Sequence, residues 1–310
     1  MTRPLQNSSA RRLLFLSHPI TAPAIFLPFP SHNLKPWRLM STSPDSRPSD
    51  SFSLSSQPHH PVHIVAAPGV TESHFRSAVE SSLFRNWVKN LEGDGGVLAN
   101  GAACLKQVLI QGVDMFGNRI GFLKFRADIF DNKTGKKIPG IVFARGPAVA
   151  VLILLYSEGV CYAILTEQAR VPAGKFLLEL PAGMLDDDKG DFVGTAVREV
   201  EEETGIKLNI EDMVDLTSFL DPSTGCRIFP SPGGCDEEIS VFLYRGRVEK
   251  EIIDQLQGTE GGLLEHGELI KVRVVPYDEL WRKTPDAKVL MAVALYEMAE
   301  RNGLLPPLKA

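Results

Sequence analysis

The sequence contains few cysteines and no long apolar segment. Its cysteines lie far apart and show no C-x-x-C spacing; they are Cys104, Cys161, Cys226 and Cys235. This arrangement predicts no zinc site, and so few cysteines in a chain of 310 residues predict reduced thiols rather than a disulfide framework. No apolar run approaches the length of about 18 residues that a membrane-spanning helix requires, so we expect no membrane partner.

Acidic residues are absent from the first 44 positions, which carry four Arg, one Lys and many Ser and Pro. This composition is typical of organelle transit peptides, and it predicts that residues 1–40 are a leader. A disordered tail and a second start at Met40 are the alternatives. Twelve of the 21 residues from 41 to 61 are Ser or Pro, so we expect this stretch to be a disordered linker.

The chain also lacks an excess of positive charge, since its formal net charge is -5 and its isoelectric point is near 5.9. Such a chain has no basic field for nucleic acid, and an anionic small molecule would need local arginines or a metal ion to hold it. The content of 44% hydrophobic and 23% charged residues is ordinary for a globular protein, and the length favours two folded units.

Residues 62–146 have the pattern of a small α+β domain. Residues 62–67 predict a strand, and Thr71 is a suitable N-cap for a helix that reaches about Leu91. Three strands are expected at residues 105–115, 120–130 and 138–144, because turn sequences separate these runs. The unit shows no cluster of chemically reactive residues, so we expect a role in packing or dimerisation.

Residues 147–306 form the second predicted domain. Residues 148–156 are almost entirely apolar, which predicts a strand buried on both faces, and residues 160–170 follow as its hairpin partner. Further strands are predicted at residues 176–180, 213–220, 239–244 and 269–275, and helices at residues 276–283 and 285–302. Residues 251–268 are rich in Gly and Glu and are predicted to be a loop that acts as a lid.

The most informative stretch, residues 181–206, combines a strand end, a turn and an acidic helix. Glu199, Glu202 and Glu203 lie at i, i+3 and i+4, so they fall within roughly 100° on one face of that helix. Gly205 is placed to end the helix. A solvated acidic face is one interpretation. The other is a site for Mg²⁺ or Mn²⁺, since carboxylate and carbonyl oxygens suit these hard cations.

The sequence REVEEETGI at residues 198–206 resembles the second half of the Nudix box, G-x5-E-x7-R-E-U-x-E-E-x-G-U, in which U is aliphatic. The first half departs from the pattern, because the leading Glu position falls on Gly190, with Asp191 one place later. Gly183 comes one place too early, and we therefore expect a respaced loop. Residues 167–170, EQAR, and residues 229–234, FPSPGG, resemble segments of the ADP-sugar/ADP-ribose pyrophosphatase branch of this family.

This resemblance implies a Nudix α/β/α sandwich with a mixed sheet, after the small N-terminal α+β domain. It implies that Mg²⁺, with Mn²⁺ as the alternative, is held by the box glutamates and a backbone carbonyl: Ala182, Glu199, Glu202 and Glu203. It also implies substrate contacts from the two other segments: Arg170, Ser231, Pro232 and Gly233. For Arg170, an exposed ion pair is the alternative role. The implied catalytic residues are Glu202 and the general base Glu268, with Glu265 second and His266 third.

The implied reaction is hydrolysis of a phosphorus anhydride, in which ADP-glucose or ADP-ribose gives AMP and a sugar phosphate. The N-terminal extension resembles that of plant plastid ADP-sugar diphosphatases, so we expect a transit peptide to the chloroplast stroma. We also expect a homodimer, with dimerisation as one role of residues 62–146. The alternatives are hydrolysis of another nucleoside diphosphate derivative and a Nudix fold that binds a ligand without catalysis.

Overall fold

The computed structural model describes residues 47–185, 191–262 and 269–308. In these residues the chain forms two mixed β-sheets, and helices cover the apolar faces of both. None of the described helices is long and apolar enough to cross a lipid bilayer.

The first sheet has the strand order β1-β2-β3-β4-β5, and β6 pairs with β4. Its strands are β1 Ser49–Phe52, β2 Val62–Ala66, β3 Ala103–Phe116, β4 Arg119–Asp131, β5 Lys137–Ile138 and β6 Ile141–Ala144. Two helices, α1 Glu72–Glu80 and α2 Ser82–Glu92, pack their buried side chains into the core of this sheet. Trp87 lies 4.6 Å from the ring of Phe125 on β4, centroid to centroid, and this edge-on contact anchors α2.

Two local features differ from the sequence-based expectation. Ser49–Phe52 falls in the stretch expected to be linker, yet it forms β1, which pairs with β2 while Leu54 is buried behind it. The single helix expected from Thr71 to Leu91 is divided at Ser81. The backbone of Ser81 is extended, and its hydroxyl accepts a hydrogen bond from the Phe84 N–H, so Ser81 starts a new helix.

The second sheet has the order β11-β12-β7-β8-β14-β13, with β10 added to β7 and β9 added to β8. Its strands are β7 Ala148–Ser157, β8 Val160–Arg170, β9 Lys175–Glu179, β10 Ala182–Met184, β11 Val214–Asp215, β12 Ile239–Arg247, β13 Glu260–Gly261 and β14 Ile270–Pro276. β7 pairs parallel with β12 and antiparallel with β8, and nearly all of its residues are buried, as its apolar sequence predicts.

Helices cover both faces of this sheet. On one face, α3 Phe192–Thr204 and α4 Lys250–Leu256 pack on alternate residues of β7, and on the other face α5 Tyr277–Lys283 and α6 Ala287–Arg301 do the same. The predicted α/β/α sandwich with a mixed sheet is therefore confirmed. Two details were wrong: α4 and β13 lie in the predicted lid loop, because Ile253 has a core position to fill, and β11 is shorter than predicted.

Candidate active site

A cleft of about 980 Å³ lies between helix α3, the second sheet and the hairpin that joins β3 to β4 in the first sheet. Its acidic side is lined by Glu199 and Glu203 of α3, and its basic side includes Arg145, Arg170 and Lys288. The hairpin between β3 and β4 contributes residues at its tip: Met115, Phe116, Asn118, Arg119, Ile120, Gly121 and Phe122. The small α+β unit, to which sequence assigned no chemistry, thus supplies part of the cleft wall.

Helix α3 is placed by clear local signals. Asp191 caps its first turn, since one carboxylate oxygen accepts a hydrogen bond from the Gly194 N–H at 2.9 Å. Gly205 ends it in the left-handed conformation and donates its N–H to the Glu201 carbonyl. Ala196 and Val200 are fully buried against the sheet. Because these apolar residues fix the rotation of the helix, the glutamates on another face are directed at the cleft.

Glu199 lies directly against β10. A Cβ atom built on Gly183 would fall 1.9 Å from the Glu199 carboxyl group, which is far inside contact distance. A larger residue at position 183 would therefore force the Glu199 carboxylate to move away from its place beside the strand. Gly183, whose place in the box pattern is irregular, thus lies beside the acidic wall of the cleft.

Glu203 is almost entirely buried, with 5% of its surface exposed. One of its carboxylate oxygens accepts a hydrogen bond from the Gln168 amide at 2.9 Å, and the other accepts one from the Ala182 N–H at 3.2 Å. Gln168 is a site residue that the sequence analysis did not select. Its position in the EQAR segment was the available signal.

Glu202 does not line the cleft in this structure. At 100° per residue, Glu203 lies roughly 40° from Glu199 on one side, whereas Glu202 lies roughly 60° away on the other side. Its backbone carbonyl accepts a hydrogen bond from the Gly262 N–H at 2.9 Å, and a Cβ atom on Gly261 would come within 2.0 Å of the Glu203 carbonyl oxygen. Within the described ranges, no three acidic, histidine or cysteine side chains converge on a point where a metal could sit.

The donor set nevertheless fits a small hard cation. Mg²⁺ in proteins is usually held by one or two carboxylates together with water and substrate phosphate, so a complete cage of protein ligands is not required. Glu199 and Glu203 supply two carboxylates on one wall of the cleft, and Ala182 lies next to both on β10.

Arg170, the predicted phosphate contact, lies in the cleft and is also ion-paired. Its Nε and one terminal nitrogen donate to the two carboxylate oxygens of Glu179, at 2.6 and 2.9 Å, while 42% of the arginine side chain remains exposed. Burial by itself raises the pKa of Glu179, but the hydrogen bonds from Arg170 and Lys288 outweigh it and leave the pKa below its ordinary value.

Arg145 was missed by the sequence analysis. Its guanidinium lies 3.3 Å from a carboxylate oxygen of Glu237 and 5.4 Å from the ring centre of Phe122. In the described part of the chain its Nε is buried and has no hydrogen-bond partner. These contacts join segments distant in sequence, and no local motif marks this arginine.

The segment from Ser231 to Gly233 does not reach the cleft. All three residues are exposed, and the segment turns back on itself because the Cys235 N–H donates to the Ser231 carbonyl at 3.0 Å. The neighbours Pro230 and Glu237 line the cleft instead. The assignment of Ser231, Pro232 and Gly233 to substrate contact stays a prediction, which the lining of this cleft does not support.

The candidates for the general base lie outside the described residues. This applies to Glu268, Glu265 and His266, which fall between Gly262 and Leu269.

Comparison with known proteins agrees with this geometry. The NUDIX domain model matches residues 144–293. Nudix hydrolase 14, chloroplastic, of Arabidopsis thaliana is 72% identical over 268 residues, which cover 86% of this chain and 87% of the relative. The methanol dehydrogenase activator of Bacillus methanolicus is 27% identical over 60% of this chain and 90% of its own length.

A solved structure titled as an ADP compounds hydrolase covers 65% of this chain and 99% of its own, with 16% identity and a TM-score of 0.41. The long, highly identical match to the Arabidopsis protein has the decisive weight here. This match, together with the acidic helix and the sandwich that supports it, shows that the chain belongs to the Nudix hydrolase family.

Proposed function

We propose that this Nudix hydrolase cleaves the diphosphate of ADP-sugars, such as ADP-glucose and ADP-ribose, to give AMP and a sugar phosphate. The observation that carries the proposal is that the two box glutamates and the arginines Arg145 and Arg170 line the same cleft. A diphosphate needs both kinds of group, because a metal ion held by carboxylates and fixed cations share its negative charge.

Glu199, Glu203 and the Ala182 carbonyl would hold Mg²⁺, or Mn²⁺ in its place, and the family pattern adds Glu202. When bound, the cation would orient water and offset the charge that develops on the phosphoryl oxygens. Gln168 restricts the Glu203 carboxylate to one orientation, and Gly183 leaves the space that Glu199 occupies. These contacts organise the acidic wall before substrate arrives.

The other walls of the cleft offer groups that suit the diphosphate and the nucleobase of an ADP-sugar. Arg170 and Arg145 are cations that a diphosphate can engage, and arginine is well suited to phosphate oxygens because its guanidinium forms paired hydrogen bonds. Phe116 and Phe122 contact each other edge to face on the hairpin, with ring centres 5.7 Å apart. An aromatic surface of this kind provides a stacking partner for a nucleobase.

A general base must accept the proton of the attacking water. Our proposal for this role is Glu268, because the family places its base on the segment before β14. Glu265 and then His266 are the next candidates.

The test is a kinetic panel on the full-length protein with ADP-glucose, ADP-ribose, NADH and UDP-glucose, each with and without Mg²⁺. Appearance of AMP and sugar phosphate from the ADP-sugars, dependent on Mg²⁺, is the expected result. A strong preference for NADH or UDP-glucose would assign the enzyme to another nucleoside diphosphate. Binding of all four without turnover would instead indicate a ligand-binding module.

We also propose location in the chloroplast stroma and assembly as a homodimer. The composition of residues 1–40 and the chloroplastic Arabidopsis relative support the first proposal. Val171 and Phe176, which are 85% and 71% exposed beside the cleft, offer apolar surface for the second. Imaging of a reporter fused to residues 1–40 tests the location, and light scattering tests for twice the mass of one chain.

A further inference from the structure

The ion pair between Arg170 and Glu179 continues to a third residue, Lys288. The Lys288 ammonium lies 2.8 Å from the Glu179 oxygen that also receives the Arg170 terminal nitrogen, and 3.1 Å from Asp286. Glu179 is the last residue of β9, and Lys288 lies in the first turn of α6, which Asp286 caps. A strand and a helix thus meet at the carboxylate that holds the arginine.

Glu179 needs both cations. It is 1% exposed, and a buried carboxylate is costly unless charges and hydrogen bonds compensate for its lost hydration. Arg170 is much more exposed and faces the cleft, so water and ligands compete for its guanidinium. Lys288 is 19% exposed at its side chain and is the less accessible of the two partners.

Without Lys288, the carboxylate would keep Arg170 as its cationic partner among the described contacts. Burial would then favour the neutral form of Glu179 or draw the guanidinium inward. In either case the bidentate geometry at 2.6 and 2.9 Å, which fixes the direction of the guanidinium, would loosen.

We propose that Lys288 is a positioning residue for substrate binding: through Glu179 it holds the guanidinium of Arg170 in the orientation that receives a substrate phosphate. This inference rests on the proposed function, because it takes a diphosphate as the ligand of Arg170. It gives the start of α6, far from the Nudix box in sequence, a defined part in binding.

The test is a double-mutant cycle in the full-length protein with the variants R170M, K288M and R170M/K288M. We measure KM and kcat for ADP-glucose at saturating Mg²⁺. Loss of one hydrogen-bonded charge contact should raise KM about tenfold in K288M, with kcat changed by less than about twofold. Because Lys288 acts through Arg170, the double variant should have the KM of R170M alone.

Two further variants complete the design. K288R retains the cation and should recover most of the wild-type KM. K283M serves as the matched control, since Lys283 is an exposed lysine that pairs with Glu279 on α5, and its removal should leave KM unchanged. If K288M melts below the assay temperature, E179Q takes its place in the cycle, with the same expected KM and the same non-additivity with R170M.

The outcomes separate the two proposals. An unchanged KM in R170M would refute the phosphate-binding role of Arg170, and with it the proposal that the basic side of the cleft binds the substrate diphosphate. A raised KM in R170M beside a normal KM in K288M would overturn the inference alone. Multiplied effects in the double variant would also overturn it, because they would show that Lys288 contacts substrate independently.

Discussion

Among single residues, Glu203 is a box acid whose geometry the protein closely determines. Both of its carboxylate oxygens receive a hydrogen bond, one from Gln168 and one from Ala182, and its main-chain carbonyl lies against Gly261. A side chain restricted in this way can present a metal ion with a fixed pair of oxygens at little cost in entropy when the ion binds.

We predict that Glu203→Gln lowers kcat by at least about 10²-fold, because the loss of a ligand carboxylate displaces the metal ion and the water together. The protein should still fold but lose about 1–3 kcal/mol of stability, since Gln accepts one of the two hydrogen bonds while its NH2 group faces the other buried donor. Steady-state kinetics at saturating Mg²⁺ measure the effect. Glu201→Gln, an exposed neighbour that pairs with Lys207, is the control. Near-normal turnover in Glu203→Gln would mean that Glu203 does not hold the metal.

Glu179 predicts a dependence of stability on pH. Its pKa in the folded protein lies below the ordinary value of 4.5, so the unfolded chain binds the proton more readily than the folded one does. The stabilisation is therefore complete above about pH 4.5 and declines as the pH falls through the lower, folded value.

Urea unfolding of the wild type and Glu179→Gln between pH 3 and 7 measures this contribution. The difference between their free energies of unfolding should be largest near neutral pH and should shrink as the pH falls below about 4.5. A difference that stays constant over the whole range would show that Glu179 has the same pKa in both states.

At the scale of the element, the whole acidic wall depends on the start of α3. We predict that Asp191→Ala destabilises the protein by about 1 kcal/mol, as is usual when an N-cap oxygen is lost. Urea unfolding at pH 7 tests this value, with Asp94→Ala at an exposed loop position as the control. A loss no greater than that of the control would mean that the first turn of α3 does not need its cap.

The same helix shows how much of the site the sequence could reveal. The cap, the apolar stripe of Ala196 and Val200 and the terminal Gly205 are all local signals, so the helix and two of its cleft-facing acids were predictable. Glu202 was harder to place, because its spacing fits the acidic face while it lies on the opposite side of Glu199 from Glu203.

Other elements depend on contacts that no local pattern contains. The break at Ser81 follows from packing two short helices on one sheet, and α4 forms in a Gly- and Glu-rich stretch because Ile253 fills the core. Arg145 joins the site through its tertiary contacts with Met184 and Glu237. The segment at Ser231 was selected by its resemblance to a family sequence, but such a resemblance does not fix the direction in which a turn points.

At the scale of the whole molecule, the hydrophobic cores of the described residues are built from Phe52 onward. We therefore predict that deletion of residues 1–40 leaves both kcat/KM for ADP-glucose and the melting temperature unchanged. Calorimetry and kinetics on the shortened and full chains provide the comparison. A fall of several degrees in the melting temperature would show that the leader stabilises the folded protein.

The contact of Gly261 and Gly262 with the end of α3 has a consequence for how this enzyme can evolve. The glutamates that we propose as metal ligands lie on the helix side of this contact, and the chain continues from Gly262 directly into the segment that contains Glu268, the proposed general base. A side chain at position 261 would push against the Glu203 backbone, so a change made on one side is transmitted to the other. If the proposed roles hold, mutations that alter metal ligation and mutations that alter proton acceptance are not independent in this region. The hairpin of the first sheet lines the same cleft without taking part in this contact, so adaptation to a new substrate would proceed more freely there.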